Sequence, residues 1–381
     1  WLPSRTQMPL EIAILSPAFI SARYVCHFAA SAVRLMGPDP KAMMIGQENQ
    51  EQAWIGALAS GRLPHAWLLA GPMGVGKAGF ALRAATYLIC DGDKRAVLGA
   101  ASIDTDPADP AAQQIAHGTH PDFIWLKREV PEAKRPKDGG PGKVEDVAAT
   151  ISVGQVRAML SRLRMRPANA RWRVVVIDSI DDMERGSANA LLKTLEEPPE
   201  NTIFLLISHQ PGRLLPTIRS RCRLLRFDAL DAAAMHSFIT AYVAGGDEGE
   251  RDALLALAQG SPGRALMFAG ADIASLTAAL HDIARTGDGD NALRSELSRT
   301  ATGTGGAMRL DILLHMAAVI AADSARTADG DAVIAALDAR HDIATLRREA
   351  ASASTDNATI AFAAGTALTR LATLGNRTAG R

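Results

Sequence analysis

The chain has 381 residues, 48% of them hydrophobic, and its 41 basic side chains balance 41 acidic ones. That length allows two or three domains with a substantial core, while zero net charge excludes a global basic field, so any nucleic-acid contact has to be local and salt-sensitive. Three widely separated cysteines, Cys26, Cys90 and Cys222, argue against a disulfide framework and suit a reducing, cytoplasmic compartment.

Residues 1–44 hold an apolar run, 12–22, which Glu11, Arg23 and His27 keep well short of membrane-spanning length. The run also passes for a weak signal peptide; the expectation for 1–44 is an extension, either disordered or an artefact of the gene start. An amphipathic helix is predicted over 47–60, and residues 62–65 lead into a buried strand, AWLLA, 66–70. That strand runs into GPMGVGK, 71–77, a phosphate-binding loop by spacing. Gly71, Gly74 and Gly76 let backbone N–H groups turn inward, the next helix presents its positive end, and Lys77 reaches terminal phosphates. The alternative is an incidental glycine turn. The following residue, Ala78, lacks the hydroxyl that ligates Mg²⁺ in this motif, so metal-assisted hydrolysis loses one ligand.

The loop's helix is expected to run to about Leu88, followed by an Asp/Pro/Ala-rich loop with helical pieces, 91–117, and a strand, 120–126. His120 reads as a turn residue before Pro121 rather than a metal ligand, because no partner has suitable spacing. Residues 129–145 are charged and rich in Pro and Gly, hence flexible, and 155–163 form a helix. Arg157, Arg162, Arg164, Arg166, Arg171 and Arg173 make the best local basic patch, although an ordinary solvated helix face followed by a strand edge is the simpler explanation of them. Four β-branched residues, 174–177, then form a buried strand ending at Asp178, a carboxylate at the carboxyl edge of a parallel sheet that is placed to hold Mg²⁺. Ser179 follows it and is a poor general base. Asp181 and Asp182 read as first-turn acids at a helix start, or alternatively as substitute bases.

The run NALLKTLEEPPENTIFLLISHQPGRLLPTIRSRC, 189–222, is the most informative part of the chain. Leu191, Leu192 and Leu195 signal a helix that Pro198 and Pro199 stop. Residues 203–207 are an apolar strand covered on both faces. A loop punctuated by Pro211, Gly212 and Pro216 delivers Arg219, Ser220, Arg221 and Cys222 to a short strand, 224–227. Alternation of strands and helices up to this point predicts an α/β fold with a parallel sheet covered on both faces. From about Ala229 the pattern is helical only: 232–243, 251–259 and 263–268, then alanine-rich stretches at 274–285, 310–322, 332–337 and 359–374.

LLKTLEEPP followed by LLPTIRSRC closely resembles the clamp-loader branch of the AAA+ ATPases, and the resemblance is good over 45–270 and only general beyond. It implies an AAA+ P-loop domain over 45–229, a three-helix lid over 230–270, and a helical collar over 271–381 that closes five subunits into a ring. It also implies that the Ser220-Arg221-Cys222 triplet carries an arginine finger, Arg221, acting on a neighbour's nucleotide; pairing of Arg221 with a surface acid is the bland alternative. Cys222 is most simply a small buried residue. In hydrolysing relatives a glutamate follows the Walker-B aspartate, and here Asp178 is followed by Ser179. Ser208 takes the place of sensor 1, or is a plain turn serine. Arg264, in GSPGRAL, takes the place of sensor 2, or packs and caps a helix.

With Ala78 and Ser179 both departing from the hydrolysing pattern, the chain resembles the delta-prime kind of DNA polymerase III subunit more than the ATP-hydrolysing tau/gamma kind. The implied partners are tau/gamma and delta subunits, the sliding clamp, and primed DNA through the assembly; no membrane is implied. ATP or ADP is expected to bind weakly or not at all, with Mg²⁺ only alongside nucleotide. Many relatives carry a four-cysteine zinc module after the P-loop helix, and with only Cys90 there no zinc is expected. A tau/gamma-like motor and a non-replicative AAA+ scaffold are the alternatives.

Overall fold

The computed structural model describes residues 45–90, 102–131, 147–148, 150–165, 170–243, 248–269, 273–302, 306–352 and 356–378. The expectations for 1–44, for most of the charged stretch 129–145, for 91–101, for Cys26 and for Arg166 lie outside these residues. The described chain divides into two compact units, 45–269 and 273–378.

In the first unit, five described strands make one parallel sheet in the order β2-β3-β4-β1-β5: β1 (Ala66–Ala70), β2 (Phe123–Lys127), β3 (Arg173–Asp178), β4 (Thr202–Ser208) and β5 (Arg223–Arg226). Successive side chains alternate between two cores, which is why the central strands are apolar without interruption. Val174 and Val176 of β3 enter one core with Ile203, Leu205 and Ile207 of β4. Val175, Ile177, Phe204 and Leu206 enter the other. The first face is covered by α1 (Glu48–Ala59), α2 (Lys77–Ile89) and α3 (Pro110–Ala116) through Trp54, Phe80, Leu88 and Ile115. The second is covered by α4 (Val153–Leu163), α5 (Arg185–Glu196) and the short α6 (Pro216–Arg219) through Val156, Met159, Leu191, Leu195 and Ile218.

Local signals fix the helix ends. Ser152 and Gln155 form a reciprocal capping box on α4, and the Asp109 carboxylate accepts from Ala111 N and Ala112 N at the start of α3. At the other end of α4, Arg173 is 5% exposed, pairs with Asp122 at 3.5 Å, and donates to Met165 O at 2.6 Å and Arg162 O at 3.2 Å. Arg173 therefore satisfies helix-end carbonyls from within the protein. It does not belong to a solvated basic face, whereas Arg157, Arg162, Arg164 and Arg171 are exposed.

The first unit ends with α7 (Ala232–Tyr242), α8 (Glu248–Ala258) and α9 (Pro262–Phe268), which pack on one another. The second unit consists of α10 (Ile273–Thr286), α11 (Ala292–Thr300), α12 (Gly306–Thr327), α13 (Asp331–Ser352) and α14 (Asn357–Thr378). Helix α14 packs on the other four, and small residues such as Ala336, Ala339, Ala361 and Ala364 let the helices approach closely around Leu280, Ile312 and Leu368. No single described helix is long and apolar enough to cross a membrane.

Candidate functional site

The predicted phosphate-binding loop lies between β1 and α2, over a row of aromatic rings: Trp54 and Trp67 have centroids 4.9 Å apart, and Phe80 and Phe227 are 5.3 Å apart. Gly71 is required by a close backbone approach, since a Cβ there would sit 1.9 Å from Phe227 O. Gly74 (φ +81°) and Gly76 (φ +102°) give the left-handed turns that the glycine spacing predicts. The loop's own polar groups are turned on the protein itself. Lys77, 3% exposed, donates from Nζ to Gly71 O at 2.6 Å and to Pro72 O at 2.5 Å. Gln47 Nε2 donates to Val75 O at 2.6 Å.

Helix α9 closes over the same loop. Ser261 Oγ donates to Met73 O at 3.0 Å, and Gly263 N donates to Gly74 O at 2.9 Å. A Cβ on Gly263 would lie 2.9 Å from Gly74 Cα, so the two backbones are already in contact. Arg264 starts the same helix, and its Nη1 donates to Gln259 Oε1 at 3.3 Å. Ala78 is half-buried against the aromatic core and brings no oxygen to the loop.

Asp178 ends β3, 3% exposed, and its Oδ2 has no hydrogen-bond partner among the described residues. Burial pushes its carboxyl up to about 7, with Lys127, Lys77 and Arg128 opposing and Asp182 reinforcing that shift. Ser179 is buried and caps a single 3₁₀ turn, Ile180–Asp182, so the first-turn expectation for Asp181 and Asp182 agrees with the structure. Asp181 also gathers the neighbouring polar groups. Its carboxylate accepts from Ser179 Oγ at 3.0 Å, Ser208 Oγ at 2.8 Å and His209 N at 2.5 Å. Asp182 pairs with Arg128 at 3.1 Å. Ser208 is the last residue of β4, fully buried, rather than the first residue beyond the strand; its carbonyl accepts from Gly71 N at 3.2 Å. His209 is held near 4 by burial first and by the Lys77 charge second, so its ring is neutral at pH 7.

These residues fit a magnesium-bound nucleotide poorly. Position 78 has no hydroxyl, the Asp178 carboxyl is half protonated near neutrality, Asp181 is engaged by three donors, and Lys77 by two carbonyls of its own loop.

Arg221 follows α6, away from both cores. Its side chain is 32% exposed, and its terminal nitrogens are engaged locally: Nη2 pairs with Glu196 Oε1 at 2.6 Å, and Nη1 donates to Thr217 O at 2.8 Å. The guanidinium is thus at the surface, and it pairs with a surface acid. Ser220 is exposed, with Oγ donating to Thr217 O at 3.2 Å. Arg219, Arg223 and Arg226 are exposed beside it, Arg223 lying 4.9 Å over the Trp67 ring. Cys222 packs against the second core, and burial pushes its thiol up to about 12, so it carries no thiolate at neutral pH.

Sequence reasoning located the loop, Asp178, Ser208 and Arg221, but not Glu196, Ser261, Gly263 or the gathering role of Asp181. LEEPP and SRC were both recognised, yet nothing in their spacing says that the last residue of α5 meets the second residue after α6. The tight contact of Gly263 with Gly74 is likewise a long-range encounter with no local pattern.

Residues 46–231 match the family model described as DNA polymerase III, delta subunit. The chain is 36% identical over 213 residues to DNA polymerase III subunit delta' of Pseudomonas aeruginosa, covering 56% of this chain and 58% of that one. It is 34% identical over 194 residues to DNA polymerase III subunit tau of Escherichia coli, covering 51% of this chain and 26% of that one. The match thus spans less than two thirds of either relative. A DNA polymerase III, gamma subunit-related protein from Thermotoga maritima overlays with a TM-score of 0.44 at 13% identity, over 83% of this chain and 99% of that chain.

Proposed function

We propose, from the match of residues 46–231 to the family model described as DNA polymerase III, delta subunit, that this chain is a delta-prime-like subunit of a clamp loader. It contributes a P-loop module that does not turn over nucleotide and lends Arg221 to the ATP of an adjacent tau/gamma subunit. Its partners are then tau/gamma and delta subunits in the cytoplasm, with the sliding clamp and primed DNA met through the assembly. The observation that carries this reading is a contrast within one unit. Lys77 and Ser208 are buried and bonded within the chain, whereas the Arg221 side chain, although it pairs with Glu196 and donates to Thr217 O, is 32% exposed at the surface. An arginine supplied in trans adds positive charge beside a transferring phosphoryl group and is worth roughly 10³–10⁵ in rate at the site it serves.

The purified chain is expected to bind ATP or ADP weakly or not at all and to show no turnover. It is also expected to co-purify with tau/gamma and delta subunits. Equilibrium dialysis with labelled ATP, a phosphate-release assay and co-purification test these points together. One specific observation favours a second reading, an ATP-hydrolysing tau/gamma-like motor: Lys77 and Asp178 stand at their motif positions, and a tau subunit is among the relatives. Sustained ATP turnover by the isolated chain would decide for that reading.

A further inference from the structure

A guanidinium that is to act on a neighbour's phosphate has to present its terminal nitrogens outward. In this chain both terminal nitrogens of Arg221 are folded back: Nη2 on Glu196 Oε1 at 2.6 Å, Nη1 on Thr217 O at 2.8 Å, with Ser220 Oγ at 3.5 Å from Nη1. Glu196 is the last residue of α5 and Thr217 belongs to α6, so the tip of the side chain bridges two helix ends of its own subunit. We propose that Glu196 is a displaceable counter-ion that parks Arg221 on its own subunit until the phosphate of a neighbour's nucleotide takes its place.

The geometry suits a latch better than a permanent brace. The arginine side chain is 32% exposed and the carboxylate 48% exposed, so the pair is weak and screened by salt. A triphosphate brings more negative charge than one carboxylate and several acceptor oxygens, so it outcompetes Glu196 when it comes within reach. Glu196 subtracts from the action of Arg221 by the cost of breaking the pair, and neutralises the arginine while no nucleotide faces it. This inference rests on the reading of Arg221 as a trans-acting finger.

The test uses the full chain assembled with tau/gamma and delta subunits, with ATP hydrolysis followed at subsaturating ATP in low and high salt. Glu196→Gln keeps the shape of the side chain and removes its charge. It is expected to raise the rate about two- to fivefold at low salt, the range that an exposed ion pair can oppose, and to match the parent at high salt. In the Arg221→Ala background the same substitution is expected to change nothing. A Glu196→Gln rate equal to or below the parent's, with Arg221→Ala still defective, overturns the latch and leaves the finger intact. An equal rise in the Arg221→Ala background also overturns the latch, because the effect then bypasses the arginine. Arg221→Ala without any defect overturns the finger reading and the latch with it.

Discussion

Asp178 and His209 sit in one buried polar region and titrate in opposite senses. The Asp178 carboxyl, ordinarily near 3.8, is pushed up to about 7 by burial. Between those values the unfolded chain releases a proton that the folded chain keeps, so the stability contribution of Asp178 falls as pH rises from about 4 to about 7, and stays at its lowest above that. His209, lowered from 6.5 to about 4 chiefly by burial, costs stability as pH falls from about 6.5 towards 4. Asp178→Asn removes the first effect alone. It is expected to stabilise the protein at pH 8 by roughly 4 kcal/mol, using about 1.4 kcal/mol per pKa unit, with the gain fading below pH 7. Urea unfolding at pH 5 and pH 8 measures this, and a gain that does not change with pH contradicts the assignment. At this scale the sequence revealed residue types in order along the chain: glycines at 71, 74 and 76, a methyl group at 78, an acid at 178, an arginine at 221. It did not reveal who partners whom. Lys77 turning onto the carbonyls of Gly71 and Pro72, and Arg221 onto Glu196, follow from tertiary closure.

Among the elements, the buried strands were the most legible, because an uninterrupted apolar run such as IFLLI, 203–207, fits a strand covered on both faces. The helices of the second unit were less so. α13 extends to Ser352, well past the residues 332–337 that its apolar start suggests, because its arginines, acids and histidine break the visible stripe. α11 carries only Leu293 and Leu297 as large apolar residues, and no helix was expected there. The basic stretch before β3 mixed two kinds of arginine that composition cannot separate. Arg173 is buried against Asp122 and the end of α4, while Arg157 is exposed. Arg173→Ala leaves a buried carboxylate without its cation and is expected to cost about 3–5 kcal/mol. Arg157→Ala, at the surface, is expected to stay within about 0.5 kcal/mol. Guanidinium-chloride unfolding of the two variants checks the contrast, and similar losses would contradict the structural role given to Arg173.

For the whole molecule, the change from strand–helix alternation to helices alone comes at about Ala229, whereas the two compact units divide near 269, so the three-helix stretch after β5 belongs to the same unit as the sheet. That grouping has a physical basis in the contacts of Ser261 and Gly263 with the loop at Met73 and Gly74. These contacts fasten α9 to the loop through its carbonyls, and a phosphate entering there has to draw Lys77 away from the carbonyls of Gly71 and Pro72. The chain therefore combines a loop whose lysine and carbonyls are held within the chain with an arginine at its surface, and its proposed chemistry is exercised on another subunit. The most direct test is steady-state ATP hydrolysis by the chain assembled with tau/gamma and delta subunits, comparing the parent with Arg221→Ala at saturating ATP. If the account holds, the variant co-purifies with its partners as well as the parent does and loses roughly 10³-fold or more of the hydrolysis at the site facing residue 221, the range of an arginine finger. Full hydrolysis by an intact Arg221→Ala assembly would contradict it.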